Sequence, residues 1–260
     1  MRRYFAIAIT FIICIAAGVR VSAETITFTV PALDDKTFQA TLDLPTGRTP
    51  APVVVMLPGS DGVDQRQDFH RKSLLAAGIG TFVIDTKTGH FTSRRNRPSA
   101  TTMVPVGFEA LRLLRGRQDV DAGKIAVMGW SFGGTISLRL AHVGNAPDWL
   151  NGKPGFAAHV GLYGGCTSRR SVYLQQVPVL ILIGTQDTHT DPDRCKTFEH
   201  LFSNVTVVTY PGAHHGFDKE GVNRERKGRI MRWNEDAALD ARTRVTAFFT
   251  KVFQHSGGSK

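Results

Sequence analysis

The run Lys124-Ile125-Ala126-Val127-Met128-Gly129-Trp130-Ser131-Phe132-Gly133-Gly134-Thr135-Ile136-Ser137-Leu138-Arg139-Leu140-Ala141 decides the fold. It opens with an apolar stretch of strand length. From Thr135 onward, apolar residues recur at helical spacing. Strand, tight turn and helix, with a serine at the turn, is the context of a G-x-S-x-G nucleophile elbow. A serine there has strained backbone angles and needs small neighbours. Gly129 and Gly133 supply that room, and Gly134 lets helix and strand pack closely. Trp130 and Phe132, on either side of the serine, are expected to neighbour a pocket. The pattern is short, so its meaning depends on whether the chain also supplies a base, an acid and an oxyanion hole.

Outward from the elbow, strands and helices alternate. Pro52 to Leu57, Thr81 to Ile84, Ala157 to Tyr163, Pro178 to Ile183 and Val205 to Tyr210 read as strands. Several of them are continuous apolar runs, as in strands buried on both faces. Helices are expected over residues 65–77, closed by Gly78, and over 102–115, with Pro105 in the first turn. Two more are expected over 192–202 and 235–253, the last capped by Asn234. Residues 25–30 and 38–44 read as an antiparallel strand pair before the first buried strand. Residues 86–100, 144–155 and roughly 219–233 read as loops, the last polar and basic. This order implies an α/β domain with a mostly parallel sheet covered by helices on both faces.

A serine at neutral pH needs a base within hydrogen-bond reach, itself oriented by a carboxylate. At a strand-end site the expected chain order is serine, acid, histidine. Asp187 follows the strand Ile181-Leu182-Ile183 most closely; Asp191 and Asp193 compete with it. His214 and His215 follow the strand ending at Tyr210. Gly216 beside His215 relieves crowding where a ring must reach the elbow, so His215 is the assigned base and His214 its competitor. The oxyanion hole needs two backbone N–H groups. One is expected from Phe132, after the nucleophile, and the other from Ser60, in the loop Pro58-Gly59-Ser60-Asp61-Gly62.

The amino terminus is of another kind. Arg2 and Arg3 precede the apolar stretch Phe5 to Val19, and Val21-Ser22-Ala23 reads as a cleavage signal. Residues 1–23 are therefore expected to be a signal peptide, and 24–260 a single exported domain, periplasmic or secreted. Fifteen apolar residues are short for a bilayer span, so no stable membrane span is expected after cleavage. Loss of Arg2, Arg3 and Arg20 lowers the formal charge from +10 to +7. No nucleic-acid motif accompanies that charge, and no nucleic-acid partner is expected. The cysteines that remain, Cys166 and Cys195, form an even pair in an exported chain, which suggests a disulfide. A metal pair or a cysteine nucleophile are the competing readings, with no ligand cluster near either residue and a serine already at the nucleophile position.

Three segments together resemble the dienelactone hydrolase family of the α/β-hydrolase superfamily. They are Gly129-Trp130-Ser131-Phe132-Gly133-Gly134, the turn Gly184-Thr185-Gln186-Asp187, and Tyr210-Pro211-Gly212-Ala213-His214-His215-Gly216-Phe217. The likeness covers nearly all of residues 50–253. It implies an α/β-hydrolase fold without a large cap domain. It also supports His215 as base and the Cys166–Cys195 pairing, which exported relatives share. The namesake enzymes use a cysteine nucleophile and an acidic residue in the early loop, where this chain has Ser131 and Pro58-Gly59-Ser60. The expected activity is therefore serine-dependent hydrolysis of carboxylic esters or lactones, with small-molecule substrates and no cofactor or metal. A peptidase or acyltransferase on the same triad, or a non-catalytic binding protein, are the alternatives. Arg94, Arg95 and Arg97 read as a solvated loop or as partners for a substrate carboxylate.

Overall fold

The computed structural model describes residues 21–89, 98–166 and 176–255. The apolar stretch of the expected leader and the cluster Arg94, Arg95 and Arg97 lie outside them. The central strand is β3 (Ala51–Leu57), in which every residue is buried. It pairs in parallel with β4 (Gly80–Asp85) on one side and β5 (Val120–Trp130) on the other. Beyond β5 the parallel array continues through β6 (His159–Leu162), β7 (Val179–Gly184) and β8 (Val205–Tyr210). At the other edge, β2 (Lys36–Pro45) runs antiparallel to β4, and β1 (Val21–Val30) antiparallel to β2. The eight-stranded order is β1-β2-β4-β3-β5-β6-β7-β8. β1 extends the expected strand backward, pairing Val21, Ser22 and Ala23 with Pro45, Leu44 and Asp43.

Alternation along the strands builds two cores from one sheet. Val53, Val55 and Leu57 point with Ile125 and Val127 toward α2 (Val104–Arg115). Val54, Met56, Ala126, Met128 and Trp130 point to the other face. That face is covered by α1 (Gln65–Ala76), α4 (Pro192–Leu201) and α5 (Glu235–His255). The elbow helix α3 (Phe132–Leu140) gives Ile136 and Leu140 to the first core and Leu138 to the second. Two helix starts are fixed by their own residues. Asp64 and Gln67 form a reciprocal capping box on α1, and Asn234 accepts from the Ala237 N–H at 3.0 Å. Among the described residues, no helix is long and apolar enough to cross a membrane.

One connection differs from its reading. The basic loop near 219–233 contains a hairpin, β9 (Asn223–Arg226) and β10 (Arg229–Arg232). Its two-residue turn, Lys227-Gly228, has positive φ at both positions, 52° and 72°, which matches the twist of paired strands. The flanking residues are mostly charged and β9 is wholly exposed, so no apolar alternation marks the strands. Two single-turn 3₁₀ helices, Val143–Asn145 and Asp148–Leu150, occupy the start of the expected 144–155 loop. Cys166, after β6, is disulfide-bonded to Cys195 in α4, with Cα atoms 5.1 Å apart.

Candidate active site

Ser131 stands between β5 and α3 with φ 52° and ψ −112°. A non-glycine residue in that region costs about 1–3 kcal/mol, so its surroundings must enforce it. They do so by close backbone contact. A Cβ on Gly129 would lie 2.3 Å from the Gly133 carbonyl carbon. The Ser131 N–H donates to the Leu162 carbonyl at 2.9 Å, and its own carbonyl accepts from the Thr135 N–H at 2.9 Å. The turn is thus tied to β6 on one side and to its own helix on the other.

The loops after β7 and β8 bring Asp187 and His215, the expected acid and base, to it. The Gln186 N–H donates to the Ala213 carbonyl at 3.0 Å, which locks the two loops together. His215 Nε2 lies 2.8 Å from Ser131 Oγ, and His215 Nδ1 lies 2.8 Å from Asp187 Oδ2. With Nδ1–H donated to the carboxylate, Nε2 is left as the acceptor for the serine hydroxyl. The other Asp187 oxygen accepts the backbone N–H groups of His189 and Thr190, at 2.7 and 2.8 Å. Asp187 and His215 are both buried. The competitors are occupied elsewhere. His214 turns away, its Nδ1 2.9 Å from the Gln186 carbonyl. Asp191 caps α4, and Asp193 pairs with Lys196.

Ser60 and Phe132 line the same cleft as Ser131, of about 430 Å³. Phe132 opens α3, so its peptide sits at the positive end of the helix. The Pro58–Gly62 loop is closed by the Gly62 N–H on the Gly59 carbonyl at 3.0 Å. Arg66, Arg224 and Arg229 also line the cleft, giving it a basic wall. Trp130 is a correction to the sequence reading. It is fully buried, and its indole N–H donates to Asp218 Oδ2 at 2.8 Å, so only Phe132 of the pair neighbours the pocket.

That bond belongs to a buried polar network that the sequence reading missed. Asp218 also accepts from the Tyr163 hydroxyl at 2.5 Å and lies 3.3 Å from His70 Nε2. Arg66 donates to Tyr163 through Nη1 at 3.3 Å. It also grips Asp64 through Nε and Nη2, both at 2.8 Å. Burial alone would raise the Asp218 carboxyl; the hydrogen bond and charge of His70, with Arg66 and Tyr163 behind it, hold it below its ordinary value. Burial, then the Asp218 charge, pushes the Tyr163 hydroxyl well up. Asp64 is held at about 2: its burial is outweighed by hydrogen bonds from Arg66 and Lys219. One signal was available in the sequence. Arg66 and His70 lie eight and four residues before Leu74, on the face that α1 buries.

Asp187, His189 and His215 bring potential metal-ligand atoms within 4.8 Å of one another. They do not fit an ion. The two imidazoles stack with planes only 21° apart, so their in-plane lone pairs run side by side instead of converging. His215 Nδ1 is also engaged by Asp187.

The model of the dienelactone hydrolase family matches residues 38–253, and the chain belongs to that family. No curated protein matches it. Among solved structures it is similar to P91, a dienelactone hydrolase-like promiscuous phosphotriesterase from metagenomic libraries. The identity is 19% and the TM-score 0.68, over 90% of this chain and 99% of that one. It is also similar to a putative dienelactone hydrolase from Klebsiella pneumoniae, at 17% identity and TM-score 0.65, over 88% and 99%. A third similar structure is Thermogutta terrifontis esterase 2 phosphorylated by paraoxon, at 16% identity and TM-score 0.66, over 88% and 94%. At these identities the likeness shows the fold: an α/β hydrolase with a mostly parallel sheet.

Proposed function

We propose that this member of the dienelactone hydrolase family cleaves carboxylic esters or lactones through an acyl-enzyme on Ser131. The observation that carries the reading is the continuous hydrogen-bonded chain from Ser131 Oγ through His215 to Asp187, 2.8 Å at each link. Ser131 attacks the carbonyl carbon as His215 Nε2 takes its proton, and Asp187 stabilises the imidazolium. Backbone N–H groups of Phe132 and Ser60 receive the oxyanion, each contributing about 3 kcal/mol to the transition state. His215 then returns the proton to the leaving alcohol, and water, activated by the same base, releases the acid. The basic wall of Arg66, Arg224 and Arg229 supports a preference for esters that carry negative charge.

Export belongs to the same proposal. The sequence of residues 1–23 and the disulfide both suit a chain that matures at Glu24 in an oxidising compartment. Glu24 would remain paired to Leu42 and ion-paired to Arg117.

A fluorophosphonate probe tests the chemistry, since it reacts with an activated serine. Esterase 2 of Thermogutta terrifontis, phosphorylated by paraoxon, makes organophosphorus probes a natural choice. The expected result is one adduct, on Ser131, absent in Ser131→Ala and His215→Ala and retained in His214→Ala. Hydrolysis of p-nitrophenyl acetate should follow the same pattern. An unlabelled wild-type protein, or labelling that survives His215→Ala but not His214→Ala, would overturn the reading.

A further inference from the structure

A second imidazole lies against the base. The His189 ring stacks on that of His215, with centroids 4.2 Å apart and planes 21° from parallel. Tyr163 meets the His215 ring edge-on at 4.7 Å, and Tyr163 is itself held by Asp218. The His189 backbone N–H holds Asp187. Its side chain makes no comparable polar contact: Nδ1 is buried and without a hydrogen-bond partner among the described residues. This ring is therefore placed for its face, not for its polar edge. Burial first, then the proximity of His215, Arg229 and Arg224, pushes His189 down to about 4 against the pull of Asp187. Above roughly pH 5 it is a neutral aromatic plate.

We propose that His189 is a positioning residue for His215: its stacked ring keeps the base in line between Asp187 and Ser131 and stabilises the imidazolium formed when Ser131 loses its proton. The proposal rests on the Ser131–His215–Asp187 reading. The mechanical argument is that His215 is hinged at its own Cβ and held at Nδ1 by a single hydrogen bond. Those two points leave tilting of the ring free, and tilting moves Nε2 relative to Ser131 Oγ. A face-to-face contact opposes that tilt. The electrostatic argument is that a cation over a neutral aromatic face is favoured, and more so away from water. Both effects act in the transition state more than in the resting enzyme, so they belong in kcat rather than in KM.

The test compares His189→Ala, which removes the ring, with His189→Phe, which keeps an aromatic face and removes both nitrogens. The readouts are kcat and KM on p-nitrophenyl acetate and the rate of fluorophosphonate labelling of Ser131. We expect His189→Ala to lower kcat and the labelling rate by about tenfold or more, the scale of a slightly misplaced catalytic group, with KM nearly unchanged. His189→Phe should recover most of both. A His189→Ala enzyme as fast as wild type overturns the proposal. So does a loss confined to KM, or a His189→Phe enzyme as slow as the alanine variant, since either would make the imidazole a polar substrate contact. These outcomes presuppose labelling of the wild type at Ser131. If the wild type is not labelled there, the triad reading fails first and takes this proposal with it.

Discussion

Gly133 presses on Leu57 so closely that a Cβ on it would lie 1.9 Å from the Leu57 carbonyl oxygen. The obstacle is backbone of the central strand, which cannot rotate away as a side chain could. The elbow is thus wedged against β3 as well as tied to β6 through Ser131. Replacing Gly133 with alanine should destabilise the protein by about 3 kcal/mol or more, at the upper end for overpacking a core. For a domain of this size that lowers Tm by roughly 6–12 °C. A Tm within 1 °C of wild type would contradict the wedge.

The same contact explains why the elbow was legible. Its glycines are demanded by backbone approach, and such demands appear as residue types at fixed offsets. The strands of the parallel sheet were legible because burial on both faces leaves a continuous apolar run, as in Ala51–Leu57. Asp187 could be singled out because it closely follows such a run, Val179–Gly184, and His215 because it follows the β-branched edge strand Val205–Tyr210. Asp218 could not. Its partners Tyr163, Trp130, His70 and Arg66 come from three other parts of the chain, and no local pattern connects them. The β9–β10 hairpin was missed because β9 is wholly exposed and charged residues flank the two apolar positions of β10. Their pairing rests on the turn and on contacts such as the Ile230 N–H to Thr188 Oγ1, which is long-range.

Acid should weaken the fold in two stages. His159 is wholly buried, and burial pushes it down to about 4 from an ordinary value near 6.5. Between those values the unfolded chain binds the proton and the folded one does not, so stability falls as pH drops from 6.5 toward 4. One such group contributes a slope of about 1.4 kcal/mol per pH unit in that interval. Asp64, held at about 2, contributes stability that is present above its ordinary carboxylate value of 3.8 and lost as pH falls toward 2. Urea denaturation of wild type and His159→Leu, from pH 7 to 4, checks the first stage. The variant should show the shallower dependence; parallel curves would rule out His159 as the source.

Cys166 and Cys195 close a loop of 29 residues that runs from the end of β6 into α4. A cross-link over a loop of that length restricts the unfolded chain by nominally ~3 kcal/mol. A thiol reductant should therefore lower the wild-type Tm. The double variant Cys166→Ala/Cys195→Ala should start from the lower Tm and not respond to reductant. Because Gly165 lines the cleft, its N–H donating to Thr135 Oγ1 at 2.7 Å, reduction should also slow ester hydrolysis. An unchanged wild-type Tm under reductant would remove the stabilising role.

Arg229 offers the cleanest test of the basic wall. Arg66 is gripped by Asp64, and Arg224 is paired with Asp61 at 3.3 Å, so much of their charge is answered within the protein. Arg229 makes no ion pair among the described residues and lines the cleft beside Ser131. It starts β10, on a strand anchored to the acid loop through Ile230 and to the base loop through Met231 and His215. Its position is therefore set by the same loops that carry the triad. A negatively charged ester in the cleft should gain from it, while a neutral ester of similar size should not. Reversing the charge with Arg229→Glu should lower kcat/KM for the charged ester by about tenfold, equivalent to ~1.4 kcal/mol, chiefly through KM. The neutral ester should change by less than about twofold, and added salt should shrink the difference because this pair is solvent-accessible. Equal losses on both esters would mean that the substitution disturbed the hairpin and the triad loops, and the charge preference would fall.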